Sequence, residues 1–186
     1  MNKPYDIGLI CGRFQTFHNG HEKLFKTGYM LCDRLLVLVG SSQEQSTERN
    51  PYNITTRIEM IKEVFPNVII YGLPDLTNEN DITTDWGKYL LKNVNDYIYK
   101  NPDIIIYGND ESRSKWFEPA DLQSTTELII NRMELPISAT MLRELMIKDK
   151  RSEWQKLVNP KLHKHYSRLR EELLRVDYYK KLLTFS

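Results

Sequence analysis

The residues best suited to chemistry lie in one run, Gly12-Arg13-Phe14-Gln15-Thr16-Phe17-His18-Asn19-Gly20-His21. His18 and His21 are three apart, so on the first turn of a helix both imidazoles leave from the same side. A helix N-terminus adds unpaired N–H groups and positive potential, which suit a phosphate. Gly12 permits a close backbone approach, and Gly20 leaves space between the two rings. Together these make a polyphosphate cradle with two extra donors. Two of the chain's four histidines sit here, which favours the cradle over a loop with ordinary surface histidines. Zinc is disfavoured, because one helical turn supplies two ligands and no third is evident.

Such a cradle needs a strand to deliver the loop and a helix to follow it. Residues 7–11 read as a buried strand, and residues 19–31 as a helix with Leu24, Phe25, Gly28 and Leu31 on one face. The pattern then recurs: strands at 35–39, 68–71, 103–107 and 127–130, with helices at 56–65 and 85–99 between them. Continuous apolar strands alternating with helices predict a doubly wound α/β fold, a parallel sheet of about five strands covered on both faces. In such sheets ligands bind beyond the carboxyl ends of the strands, where the His18–His21 turn falls.

The C-terminal segment, about 141–186, reads as helical and packed on the sheet within one domain spanning 1–186. Thr140 is placed to cap a helix over 141–148. Asn159-Pro160 starts a last helix, with Asn at the cap and Pro at the first position. Leu162, Tyr166, Leu169 and Leu173 form a stripe that reads as core rather than as a partner-binding face. Residues 148–186 carry 11 Lys/Arg against 5 Asp/Glu, a local charge of +6 in a chain of net charge +1. Interleaved acids and leucines make this a solvated helix face in the first instance, and no nucleic-acid partner is expected.

Apolar residues make up 40% and charged residues 27%, typical of a soluble domain. The longest apolar run, residues 35–39, is far too short to span a bilayer, and the N-terminus has no signal-peptide core. A cytoplasmic protein without a membrane partner is expected, with Cys11 and Cys32 as thiols. A homo-oligomer is compatible with the sequence.

The run at 12–21 resembles the signature of the HxGH nucleotidyltransferases, and Ile137-Ser138-Ala139-Thr140-Met141-Leu142-Arg143 resembles their late Ile-Ser-x-Thr-x-x-Arg element. Further stretches narrow the likeness. Gly40-Ser41-Ser42-Gln43, Arg49-Asn50-Pro51-Tyr52 and Arg57-Ile58-Glu59-Met60-Ile61 are similar to archaeal-type nicotinamide mononucleotide (NMN) adenylyltransferases. They are equally similar to the adenylyltransferase half of bacterial enzymes fused to a Nudix domain. Tyr107-Gly108-Asn109 and Trp154-Gln155-Lys156-Leu157-Val158 look like later pieces of the same enzymes. The likeness runs from about residue 6 to 175, so no room for a Nudix domain is expected within these residues. Thr16 stands where the family usually has proline, and the loop at 75–81 does not align cleanly.

The resemblance implies a Rossmann-like fold and transfer of the adenylyl group of ATP to NMN. The NMN phosphate would attack the α-phosphorus in line, giving NAD and pyrophosphate without a covalent enzyme intermediate. Mg2+ would accompany ATP. The catalytic set would be His18, His21 and Arg143. ATP would meet these together with Gly12, Arg13, Phe14, Gln15, Arg49, Ser138 and Thr140. Arg49 reads equally as a solvated loop charge, and Arg13 as a strand-end charge. On the NMN side stand Asp75, Asp81, Asn109 and Trp86; the last is a stacking platform or a core tryptophan. Rival readings are a pantetheine-phosphate adenylyltransferase, a cytidylyltransferase, an aminoacyl-tRNA synthetase fragment, and a non-catalytic nucleotide-binding module.

Overall fold

A computed structural model describes residues 2–77, 83–108, 113–131 and 136–183. Its five strands are β1 (Tyr5–Gly12), β2 (Cys32–Val39), β3 (Ile69–Gly72), β4 (Ile104–Gly108) and β5 (Thr126–Ile130). They form one sheet in the order β3-β2-β1-β4-β5, and each neighbouring pair is parallel. β1 is central: Gly8 pairs with Leu35 on one side and with Ile104 on the other. The order of the strands reverses between β1 and β4, so the carboxyl end of β1 opens at the topological switch point where such sheets bind ligands.

Side-chain alternation along the strands builds two cores. Leu9, Leu36, Leu38, Ile105 and Tyr107 face α3 (Thr84–Ile98), meeting Trp86, Leu90, Leu91 and Val94. Ile10, Val37, Val39, Ile104 and Ile106 face the other way, onto α1 (Asn19–Leu31), α2 (Ile54–Val64) and the C-terminal helices. Burial on both faces explains why the strands read as unbroken apolar runs. The predicted doubly wound α/β sheet of five strands is the one observed.

The C-terminal segment departs from its expected outline. α4 spans Ala139–Ile147, and its cap is Ser138 rather than Thr140: the Ser138 hydroxyl accepts from the Met141 N–H at 3.1 Å. A short helix, α5 (Arg151–Lys156), follows. Asn159 does cap the turn begun by Pro160, accepting from the Lys161 N–H at 3.0 Å, but that turn is a 3-10 helix, Pro160–His165. It leads into α6 (Tyr166–Leu174) and then α7 (Asp177–Leu183). Leu162, Tyr166, Leu169 and Leu173 are all buried in the core, as the stripe predicted. The basic residues beside them pair with acids on α2, Lys164 with Glu63 and Arg168 with Glu59. Exposed pairs of this kind contribute about 0–1 kcal/mol each.

No helix among the described residues is long and apolar enough to cross a membrane. Cys11 and Cys32 are thiols, and burial pushes Cys32 up to about 11.

Candidate active site

β1 ends at Gly12, and the chain reaches α1 through a loop that is almost entirely buried: Phe14, Gln15, Thr16, Phe17 and His18 are all shielded from solvent. A buried loop must find partners for its backbone. The Gly12 carbonyl accepts from the Gly40 N–H at 3.0 Å. The Arg13 carbonyl accepts from Arg57 at 3.2 Å, and the Gln15 carbonyl from Arg143 at 2.5 Å. Phe14 sits at φ 54°, which turns its ring back over Gly12; a Cβ there would lie 3.1 Å from the ring. Gly12 therefore makes room for an aromatic side chain.

His18 is the N-cap of α1. Its Nδ1 faces the His21 N–H at 3.4 Å, and an accepting Nδ1 leaves the proton of a neutral ring on Nε2. The two imidazoles stack, with centroids 3.7 Å apart and planes at 23°. Gly20 serves the His18 ring: a Cβ at Gly20 would stand 3.0 Å from it. That same Cβ would lie 3.9 Å from the Ile137 carbonyl, so the first turn of α1 and the entry to α4 are neighbours.

Both helix starts face one cavity of about 540 Å3. From the β1–α1 segment come Arg13, Phe14, Gln15, His18 and His21; from α4 come Ser138, Thr140 and Arg143; from the loop after β2 comes Arg49. Every residue predicted on the ATP side lines it except Gly12, which lies beneath Phe14. Three guanidinium groups stand against two carboxylates, Glu48 and Glu144, in the described lining. Converging helix N-termini, imidazoles and guanidinium groups suit a polyanion. Arg143 is 8% exposed and does not spend its charge on Glu144; its Nη1 donates to Gln15 and its Nη2 to the Thr140 hydroxyl at 3.1 Å. The Gln15 side chain is turned away from the cavity. Its amide exchanges hydrogen bonds with the Tyr52 backbone at 2.9 and 3.0 Å, so only its main chain serves the site.

Arg57 is the residue that sequence reasoning left without a role. It is 0% exposed, and its guanidinium donates to the carbonyls of Gly40 at 2.8 Å, Ser41 at 3.0 Å, Arg13 at 3.2 Å and Asn53 at 3.3 Å. It thereby ties the β1 loop to the end of β2. Burial first, and the Arg13 charge second, bring it down to about 10. Its signal was present: Arg57, Met60 and Ile61 fall on the one buried face of α2, where an arginine needs several acceptors.

Of the residues predicted for a second ligand, Asp75 and Trp86 lie outside this cavity's described lining. Asp75 accepts from the Ser41 hydroxyl and from Gln43, both at 3.1 Å, and its N–H donates to Gln43 at 3.1 Å. It clamps the loop after β3 to the loop after β2. Trp86 is 7% exposed and packs in the α3 core against Tyr89 and Trp116, so of its two readings the geometry fits the core tryptophan. Its Nε1 is buried and has no hydrogen-bond partner among the described residues. Asp81 and Asn109 lie outside the described residues.

The comparisons agree with this arrangement. Residues 9–155 match the family described as cytidylyltransferase-like. The chain is 29% identical over 165 residues to the nicotinamide-nucleotide adenylyltransferase of Saccharolobus solfataricus, covering 85% of this chain and 88% of that one. It is 28% identical over 160 residues to the enzyme of that name from Thermococcus kodakarensis, covering 81% and 77%. A bifunctional NMN adenylyltransferase/ADP ribose pyrophosphatase from Francisella tularensis superposes with a TM-score of 0.70 at 22% identity. That superposition covers 97% of this chain and 53% of the Francisella one, so this chain spans about half its length. At such identity the likeness is one of fold. Sheet order, the cavity at the switch point and the match over residues 9–155 lead to one conclusion: the chain belongs to the cytidylyltransferase-like family.

Proposed function

We propose that this chain transfers the adenylyl group of ATP to nicotinamide mononucleotide, forming NAD and pyrophosphate. One observation carries the reading. The N-termini of α1 and α4, from segments more than a hundred residues apart, open on one cavity, and Arg143 bonds one segment to the other. The names of the relatives from Saccharolobus and Thermococcus supply the choice of substrate.

In this reading an oxygen of the NMN 5′-phosphate forms a bond to the α-phosphorus of ATP. The bond from that phosphorus to the bridging oxygen breaks, and pyrophosphate leaves with the electron pair. The attacking phosphate is already an anion, so no protein nucleophile is needed; positioning and charge stabilisation do the work. His18, through Nε2–H, and His21 donate to ATP phosphates. Arg143 holds the departing pyrophosphate beside the Ser138–Thr140 turn, with Arg13 and Arg49 on further oxygens. Gly12, Phe14 and Gln15 shape the loop beneath them. Magnesium would accompany ATP as part of the substrate and would share the neutralisation of phosphate charge with Arg13, Arg49 and Arg143. The relative from Francisella tularensis has been crystallised with AMP and a manganese ion. NMN is assigned, on the resemblance, to Asp75, Asp81, Asn109 and Trp86, of which Asp75 follows β3 and Trp86 stands in the first turn of α3. The helices after residue 141 belong to the same domain over 1–186, since they complete the core behind α4.

Pyrophosphate release tests this directly. With ATP held constant, NMN, nicotinate mononucleotide and phosphopantetheine are tried in turn, followed by CTP in place of ATP. NAD formed in step with pyrophosphate is the expected result. Release with phosphopantetheine alone, or with CTP alone, would overturn the choice of substrates.

A further inference from the structure

The cavity has a wall that the family-matched residues do not supply. α7 lies beyond residue 155, where the match ends, yet it sends Tyr178, Tyr179 and Leu182 into the lining. Tyr179 is buried, and Tyr178 packs edge-on against it with centroids 5.0 Å apart. The Tyr179 hydroxyl donates to the Glu48 carbonyl at 2.5 Å, across 131 residues of chain. The Arg143 guanidinium lies 5.9 Å from the centroid of the same ring, within reach of a cation–π attraction. One side chain thus touches the peptide that leads into Arg49 and the cation of Arg143.

The contact to Glu48 matters because of where Arg49 sits. Residues 45–49 are all exposed, so packing does not hold this loop. At its end the Asn50 N–H donates to the Thr47 hydroxyl at 3.0 Å, and the Asn50 amide oxygen accepts from Gln15 at 3.4 Å, which joins residue 50 to the β1 loop. A cation on an exposed loop loses freedom when an anion binds, and that ordering weakens binding. A tether to a buried tyrosine removes part of it in advance.

We infer that Tyr179 is a positioning residue for polyphosphate binding, holding the Glu48–Arg49 peptide and the Arg143 guanidinium at one spacing so that both cations meet the same phosphate chain. This rests on the reading of the cavity as the ATP site. It assigns a role in that site to a helix outside the family-matched residues.

The test measures binding, so that it does not depend on which reaction the chain performs. Dissociation constants are measured for magnesium tripolyphosphate and for adenosine, with Tyr179→Phe, Tyr179→Ala and the control Tyr166→Phe. Tyr166 is also a buried helix tyrosine whose hydroxyl has a partner, Asp149 at 2.9 Å, away from the cavity. Tyr179→Phe keeps the ring and loses the hydroxyl that bonds Glu48 and faces Arg143; it should weaken tripolyphosphate roughly two- to tenfold, the usual net value of one hydrogen bond. Adenosine affinity should not move. Tyr179→Ala should weaken tripolyphosphate further, and Tyr166→Phe should change neither. Unaltered tripolyphosphate affinity in Tyr179→Phe overturns the proposal, as does an equal loss for adenosine. Should the parent chain make no NAD but Tyr179→Phe still lose tripolyphosphate selectively, the positioning role stands and the assigned reaction falls.

Discussion

Arg143 donates to the carbonyl of Gln15 at 2.5 Å, across 128 residues of sequence. Through this bond the arginine of α4 supports the loop that presents His18 while its charge remains at the cavity. Its removal therefore has two effects. Arg143→Ala should abolish most ATP use and also destabilise the domain by about 1.5–3 kcal/mol, the range for a hydrogen bond to a charged group. Arg143→Lys keeps charge but not the planar fork, and should recover part of both. Steady-state kinetics with each substrate varied in turn checks this; unchanged ATP parameters in a folded Arg143→Ala would reject the shared site.

His18 is 2% exposed and caps α1, so it does more for stability than a histidine at an open helix mouth. His18→Ala should lower turnover on the order of a hundred- to a thousandfold and also lose about 1 kcal/mol for the cap. His18→Asn restores a cap acceptor without an imidazole donor. It should regain stability and not turnover, which thermal unfolding and rate measurements on the same preparation separate. Recovery of turnover in His18→Asn would assign the histidine to capping alone.

Gly20→Ala isolates the placement of the His18 ring. Alanine favours the helix by up to about 1 kcal/mol, yet its Cβ would meet the ring at 3.0 Å. The expected outcome is a melting temperature close to the parent's and turnover reduced on the order of ten- to a hundredfold, as displaced catalytic groups commonly cause. A fully active Gly20→Ala would show that the stacked geometry of His18 and His21 is not required.

Arg57→Met leaves three carbonyls at the site, those of Arg13, Gly40 and Ser41, without this donor. At about 1 kcal/mol or more for each, and about 2–4 °C per kcal/mol for a domain of this size, the melting temperature should fall on the order of 10 °C. Arg57→Lys should fall less. Melting curves within a degree or two of the parent would mean that the β1 loop is held by other contacts.

Much of this architecture was legible without coordinates because its signals are local. Strands show as apolar runs, α1 as a 3.6-residue period, and the cradle as donors spaced one turn apart; each depends on residues within a few positions of one another. Ser138, Thr140 and Arg143 were legible as a site through their likeness to the late element of the HxGH nucleotidyltransferases, which is also a short local pattern. Other partnerships were settled only by the tertiary structure. Gln15 gives its amide to Tyr52, Asp75 answers Gln43, Arg57 bridges two loops, and Tyr179 reaches Glu48 from the far end of the chain. The helix cap at Ser138 was also decided there, as Thr140 is engaged by Arg143. These contacts have no local period to read. They exist because a parallel sheet gathers the carboxyl ends of its strands along one edge, and each buried polar group there must take whichever partner the neighbouring loop brings within reach.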